Sequence, residues 1–520
     1  MITTVNYRPK FYSSGYNPII WSVTSNNASN VTRVDYSYVF DVKVDGVTVN
    51  RIVQRPNPAY AGMIDVSPIV QPYLLIGGFA NETGVPTSTP YQVGSEAVCA
   101  VEILAGEQYR TSEDAPLIIY TGNAVGGVDT PGQPSYYLGA QGFTSRAVIV
   151  LPASLNWSQQ QKTMQAQNAN PGDYYGLFGE LAPYVLKNNS LYAPTTVGGP
   201  GLFLSNMPRV TSDGAWRTTS ASPESNINVY DYAYDRYTLS FLNRNPVYQY
   251  FGQLQASAPK VAWFVFYDAA GTEIGTYAIA NYETYGGAPR TTCGTSITSF
   301  STSVNQELLS LRVGPKDLED LGVWTSLGEV AASYTVQLFA TFTVASNCTY
   351  TGTPTVPLSE LVTVNIIEDC TSYLYPRVRL AWLNDLGGRD YWNFTMFAEE
   401  TSDTEQTEYY QPEVNWSGTT PVQLTGNTTQ NWLRGGIRQY NKNVFTSWTI
   451  QSDWLTQDEV ELMKTIVQSP QIWAYVGQED FPYTCKVKET SYTVKTIKQV
   501  KMYNATFTIE FANNHSMQNT

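Results

Sequence analysis

Short alternating runs of apolar and polar residues recur along most of this chain. Tyr36 to Val44 (YSYVFDVKV) has period two, Asp45-Gly46 follows, and Val47 to Val53 returns as a partner, which predicts a hairpin closed by a two-residue turn. The apolar run Pro18 to Val23, Ala97 to Leu104 (AVCAVEIL) and Pro116 to Tyr120 (PLIIY) predict further strands. Ser67-Pro68 predicts a helix start, with Ser67 as cap, Pro68 at the first helical position, and Ile69, Val70, Tyr73 and Leu74 on one buried face. Several short strands joined by turns predict an immunoglobulin-like β-sandwich over residues 1–130.

Residues 131–225 contain one clear strand, Ala147 to Leu151, among stretches rich in Gly, Pro, Asn and Ser, and are read as an irregular, loop-rich insertion. A second β-sandwich is predicted over 226–368, from strands Tyr237–Leu242, Val261–Tyr267, Ile274–Ala280, Leu308–Val313, Tyr334–Val344 and Leu361–Ile367, with one short helix at Pro315–Leu321. A C-terminal β-rich domain is predicted over 369–520. Its strands are Arg377–Leu383, Tyr391–Phe397, Val444–Gln451, Ile472–Val476, Tyr483–Val487, Tyr492–Ile497 and Ala505–Phe511. Between them, Thr456 stands three residues before Glu459, the spacing of a capping box. Val460, Met463, Ile466 and Val467 share one face, and Pro470 follows, so a helix is predicted at 456–468. Residues 155–225 and 400–430 are expected to be long loops that order against neighbouring subunits. The fold class is therefore mainly β and multidomain.

Composition narrows the function. Charged residues make up 14% of the chain, against about 25% in ordinary domains. Such a charge-poor exterior suits a protein that buries polar surface against partners. The net charge of -14 argues against nucleic acid as a partner, because a phosphate backbone needs clustered cations. No apolar stretch reaches membrane-spanning length, so no membrane partner is expected. No basic and apolar leader opens the chain. The five cysteines (Cys99, Cys293, Cys348, Cys370 and Cys485) are widely spaced without a CxxC, and are expected to be reduced core residues in a protein made and kept in a reducing cytoplasm.

Candidate chemistry is sparse. The single histidine, His515, lies in a polar C-terminal stretch where a fraying end would not hold a catalytic group. No GxxxxGK[ST] loop occurs. Glu399 with Glu400, and Asp231 with Asp235, are the carboxylate pairs that glycoside hydrolysis would require, yet solvated turns and strand ends account for both. Asp41 and Asp45 are too few for a calcium loop. No enzyme activity and no cofactor are expected, and no catalytic, metal or cofactor-binding residue is assigned. Two surfaces remain. Tyr230, Tyr232, Tyr234 and Tyr237 alternate and would form an aromatic, sugar-stacking surface. Lys486, Lys488, Lys495, Lys498 and Lys501 reverse the local charge and would dock on an acidic partner, or else serve as edge lysines on a solvated strand face.

Three stretches resemble the N-terminal regions of virion structural proteins of tailed bacteriophages, those of Bacteroidetes-infecting and crAss-like phages above all. They are Tyr16-Asn17-Pro18-Ile19-Ile20-Trp21, Tyr38 to Gly46, and Asp65 to Leu74. The C-terminal stretch with Trp448, the 456–468 helix and Ser469-Pro470 is similar to tail or baseplate modules. The resemblance implies a virion protein of the tail, baseplate or head–tail connection, whose partners are copies of itself and other virion proteins. It implies no catalytic residue. A carbohydrate-binding adhesin recognising a host surface glycan is the alternative.

Overall fold

A computed structural model describes residues 2–7, 9, 12–30, 32–74, 90–94, 97–124, 148–155, 203–210, 226–243, 261–281, 308–323, 331–339, 343–344, 350–351, 354, 357–367, 377–411, 416–417, 420–421, 436–477, 482–489, 503–512 and 515–518. These residues are mainly β, arranged in several sheets with few short helices. They form two compact units. The first comprises 1–370, 382–391 and 468–470; the second comprises 371–381, 392–467 and 471–520.

In the first unit, Ile2–Tyr7, Ile20–Ser25 and Ala61–Asp65 form one sheet. A larger sheet runs Tyr12–Ser14, Val148–Leu151, Cys99–Arg110, Val34–Val44, Val47–Gln54, with Ile118–Ala124 also on Cys99–Arg110. Apolar residues of both sheets meet in one core, Trp21, Val23 and Ile64 from the first with Tyr38, Phe40, Val42, Val101 and Val150 from the second. Asp45 and Gly46 both take positive φ, 49° and 82°, as a two-residue hairpin turn of the type matching strand twist requires.

The 67–74 segment departs from expectation at its cap. Ser67–Val70 is one helical turn continued by a 3₁₀ turn, Gln71–Tyr73, and no side chain caps it from Val66. The Asp65 carboxylate accepts instead, from the Ser67 and Ile19 amides, each at 2.9 Å. Val70 and Leu74 are buried, but Tyr73 is exposed, because a single turn cannot keep four residues on one face.

A third sheet runs Arg209–Val210, Asn226–Tyr232, Leu361–Ile367, Ser333–Phe339, Val261–Tyr267, Glu273–Ala280. A smaller one joins Thr238–Leu242 and Leu308–Arg312 to Tyr91–Val93. That last strand comes from the segment read as the N-terminal sandwich, so the segments 1–130 and 226–368 share a sheet. Short helix Pro315–Asp320 anchors a buried charge network. Arg312 Nη2 meets Asp317 Oδ1 at 2.7 Å, and Arg236 Nη1 meets Asp320 Oδ2 at 2.7 Å and Asp317 Oδ1 at 3.1 Å.

The sheet of the second unit runs Arg389–Phe394, Val378–Leu383, Ile472–Val476, Tyr483–Val487, Thr506–Phe511, Gly436–Gln451, Phe397–Gln411, with His515–Gln518 also on Gly436–Gln451. The turn ends of its first two strands, 382–391, belong to the first unit. Helix Gln457–Gln468 follows the predicted box. Thr456 Oγ1 accepts from the Glu459 amide at 3.4 Å, and Glu459 Oε2 accepts from the Thr456 amide at 2.7 Å. Val460, Leu462, Met463 and Ile466 are its buried residues. Residues 400–411, expected to be loop, are strand. Tyr492–Ile497, expected to be strand, lies outside the described residues.

Candidate functional site

The second unit carries a two-stranded ribbon, one strand of which is exposed from Glu399 to Tyr410. Phe397–Gln411 pairs antiparallel with Gly436–Gln451 from Phe397↔Gln451 out to Gln411↔Gly436. At ~3.3 Å per residue, the 15-residue strand spans about 50 Å. On the far side of Gly436–Gln451, Thr506–Phe511 covers residues 447–451 and His515–Gln518 covers 441–444. Beyond that point the two strands continue as a pair alone among the described residues. A one-residue bulge lies there: Thr407 faces Asn441 and Glu408 faces Gln439, which leaves Tyr440 as the extra residue.

Exposed apolar side chains gather at this distal end. Tyr409, Tyr410, Ile437 and Tyr440 are 44%, 65%, 72% and 53% exposed. Adjacent strand residues point to opposite faces. Tyr409 meets Tyr440 on one face, while Tyr410 and its cross-strand partner Ile437 lie on the other. Each face of the ribbon end thus carries exposed apolar side chains, with Arg438 opposite Tyr409. An isolated two-stranded ribbon is marginal in water, and exposed apolar residues concentrated at such an end mark an interaction surface. Nearer the sheet the ribbon strand is acidic, with Glu399, Glu400, Asp403, Glu405 and Glu408 and no Lys, Arg or Pro from 397 to 411.

The predicted lysine surface is only partly described. Lys486 meets Glu510 at 2.9 Å, and Lys488 meets Asp403 at 3.3 Å and Glu510 at 3.7 Å. Their charges are matched within the unit, which favours the solvated strand face for these two. Lys495, Lys498 and Lys501 lie outside the described residues.

The predicted tyrosine surface does not hold together. Tyr230 is exposed, and Tyr232 stacks on Tyr234 with centroids 5.9 Å apart. Tyr237 is fully buried against Tyr391, centroids 5.1 Å apart. The strand ends at Tyr232 and a turn follows, so period-two alternation does not carry through to Tyr237.

Glu399 and Glu400 are neighbours on one strand, so they face opposite sides rather than flanking one bond. Asp231 and Asp235 are both buried, and Asp235 Oδ2 accepts from the Tyr232 amide at 2.9 Å. Asp41 binds Arg51 through both oxygens, at 2.6 and 2.8 Å, and Asp45 accepts from the Ala100 amide. His515 is not in a fraying end: it begins a strand opposite Val444. Cys99 and Cys485 are free and buried, and burial pushes each thiol up to about 12, with Asp45 adding to the effect at Cys99. Such thiols are inert at neutral pH. Cys293, Cys348 and Cys370 lie outside the described residues. Among the described residues no group of three or more His, Cys, Asp or Glu is placed to hold a metal, and no helix is long and apolar enough to cross a membrane.

The ribbon was not anticipated because FAEETSDTEQTEYYQ lacks the apolar alternation that marks a half-buried strand. It is a strand because of its long register with Gly436–Gln451 and because its side chains remain in water. The consecutive Tyr409-Tyr410 was the signal available in the sequence. No protein-family model and no curated protein matches this chain.

Proposed function

We propose that this chain is a structural protein of a bacteriophage virion, a tail- or baseplate-associated component that packs in a symmetric assembly and docks neighbouring virion proteins. The observation that carries this reading is the ribbon end with Tyr409 and Tyr440 on one face and Tyr410 and Ile437 on the other. An arm whose end exposes apolar side chains on both faces suits insertion between two neighbouring surfaces. The charge-poor composition and the resemblance of both chain ends to tailed-phage proteins support the same reading. In it the N-terminal strands form an immunoglobulin-like spacer, and copies of the chain are among the partners. The reading assigns the chain no catalytic step and no cofactor.

The test is a purified particle. Mass spectrometry of virions from producing cells should find the chain in fixed stoichiometry, and a cryo-EM map should show the 397–451 ribbon buried against a neighbour. Absence of the chain from purified virions overturns the reading.

A glycan-binding adhesin is the second reading, favoured by exposed Tyr230 beside the stacked Tyr232–Tyr234 pair. Stacking of sugars on these rings predicts glycan-array binding that Tyr230→Ala and Tyr232→Ala abolish.

A further inference from the structure

We propose that the open edge of strand Phe397–Gln411 is a strand-addition site for an extended, Lys- and Arg-bearing segment of a partner protein; this rests on the assembly reading above and specifies the partner's chemistry. The strand ends the sheet order, with Gly436–Gln451 on one side and no strand on the other among the described residues. Its outer backbone groups form a ready template for another strand. Natural sheets protect such edges by shortness, proline or charged side chains, lysine above all; acidic charge repels a second acidic strand and leaves the edge open to a cationic one. This edge is 15 residues long, has no Pro and no Lys, and its side chains from Glu399 to Tyr410 are exposed.

Charge selects the occupant. Glu399, Asp403 and Glu405 occupy one face of the strand, and Glu400 and Glu408 the other. A strand laid alongside sets its side chains roughly 4.5–5.5 Å from these on both faces. Acidic residues of a second copy's identical strand would meet acids there, and like charges directly opposite are destabilising. Lys or Arg on both faces of the incoming strand is the complement. The contact of Lys488 Nζ with Asp403 at 3.3 Å already seats one ammonium on this surface. Exposed Tyr409 and Tyr410 at the far end offer ring faces to further cations.

The experiment uses the full chain and three labelled ten-residue peptides: a Lys-Thr peptide of repeating Lys-Lys-Thr-Thr, which sets Lys on both faces of a strand, the same peptide N-methylated at every residue, and the matching Glu-Thr peptide. Fluorescence anisotropy reads binding, and amide hydrogen exchange reads its location. The Lys-Thr peptide should bind at least tenfold more tightly than its N-methylated form and slow exchange within 397–411. The triple variant Glu399→Gln, Glu400→Gln, Glu405→Gln should lose at least tenfold in affinity with an unchanged Tm. Equal binding of the N-methylated peptide would reduce the effect to charge alone and overturn the proposal, as would protection located outside 397–411. Concentration-dependent protection of 397–411 without any peptide would assign the edge to a second copy and overturn it too. The peptide comparison is made on the unmodified chain, so it stands even where the variant folds poorly. Presence in a particle is read separately, so failure of the edge assignment leaves the virion reading open to its own test.

Discussion

Tyr409 and Tyr440 meet edge to face across the distal ribbon, with ring centroids 6.4 Å apart and planes at 84°. Tyr440 is the extra residue of the bulge, so the sheet ladder does not set this pairing; the bulge turns the ring toward its neighbour. On the opposite face, Tyr410 and Ile437 stand in water. Tyr410→Ser with Ile437→Ser should change the chain's stability by less than about 0.5 kcal/mol, as exposed substitutions do. The same double variant should enter particles at least tenfold less efficiently. Denaturant titration and quantitative incorporation into particles check the two halves.

Asp317 sits between two arginines in the first unit and also accepts from the Tyr237 amide at 3.0 Å. Its removal strands buried cations and an amide. Asp317→Ala should cost on the order of 3–5 kcal/mol, read as a fall in the urea midpoint at unchanged slope. Lys316→Ala, next to it but partly exposed, should cost well under 1 kcal/mol.

Two buried carboxylates give opposite pH slopes. Burial alone would raise Glu107, but hydrogen bonds, among them those from Ser25 Oγ (2.6 Å), Asn27 Nδ2 (2.7 Å) and Tyr36 Oη (3.0 Å), outweigh it and hold the carboxyl below its ordinary 4.5. Its stabilisation is complete above pH 4.5 and is lost as pH falls through the lower folded value. Asp390 is pushed up to about 6 by complete burial, against donation from Ser205, the Asn206 amide and Asn384. The folded chain therefore holds a proton between an ordinary 3.8 and about 6 that the unfolded chain releases. Stability should rise as pH falls from 7 toward 5, by on the order of 1–3 kcal/mol. Thermal melts from pH 7 to 3 should show that rise flattened in Asp390→Asn and the acid loss flattened in Glu107→Gln.

Two glycines separate strain from collision. Gly46 has φ +82° with open space around it, so Gly46→Ala should cost about 1–2 kcal/mol from the left-handed backbone alone. A Cβ at Gly388 would run into the Leu204 carbonyl oxygen, which is backbone and cannot swing away. Gly388→Ala should cost more than Gly46→Ala, at about 2–3 kcal/mol. Differential scanning calorimetry of both variants against the unmodified chain orders them.

The capping box makes the C-terminal helix separable from its packing. Thr456→Ala should lose about 1 kcal/mol, and Thr456→Ser should retain most of it. Equal losses in the two variants, read by chemical denaturation, would mean that the Thr456 methyl, not its hydroxyl, matters.

Features governed by neighbours a few residues away were legible in the sequence. The Asp45-Gly46 turn depends on two residues taking positive φ, and the 457–468 helix on a hydroxyl and a carboxylate three residues apart, so local composition determined both. Strand Leu361–Ile367 was legible because alternation records its one buried face, and Val261–Tyr267 and Ile472–Val476 were legible as short apolar runs. Only the tertiary structure decided what depended on distant partners. Asp65, not Ser67, took the cap because a carboxylate two residues away also had to bind Ile19. Tyr91–Val93 left the N-terminal segment to pair with Leu308–Arg312. Tyr237 was withdrawn into a core by Tyr391. The ribbon at 397–411 had no apolar face to announce it: a strand solvated on both faces carries no hydrophobic period, and its existence rests on register with a segment far along the chain.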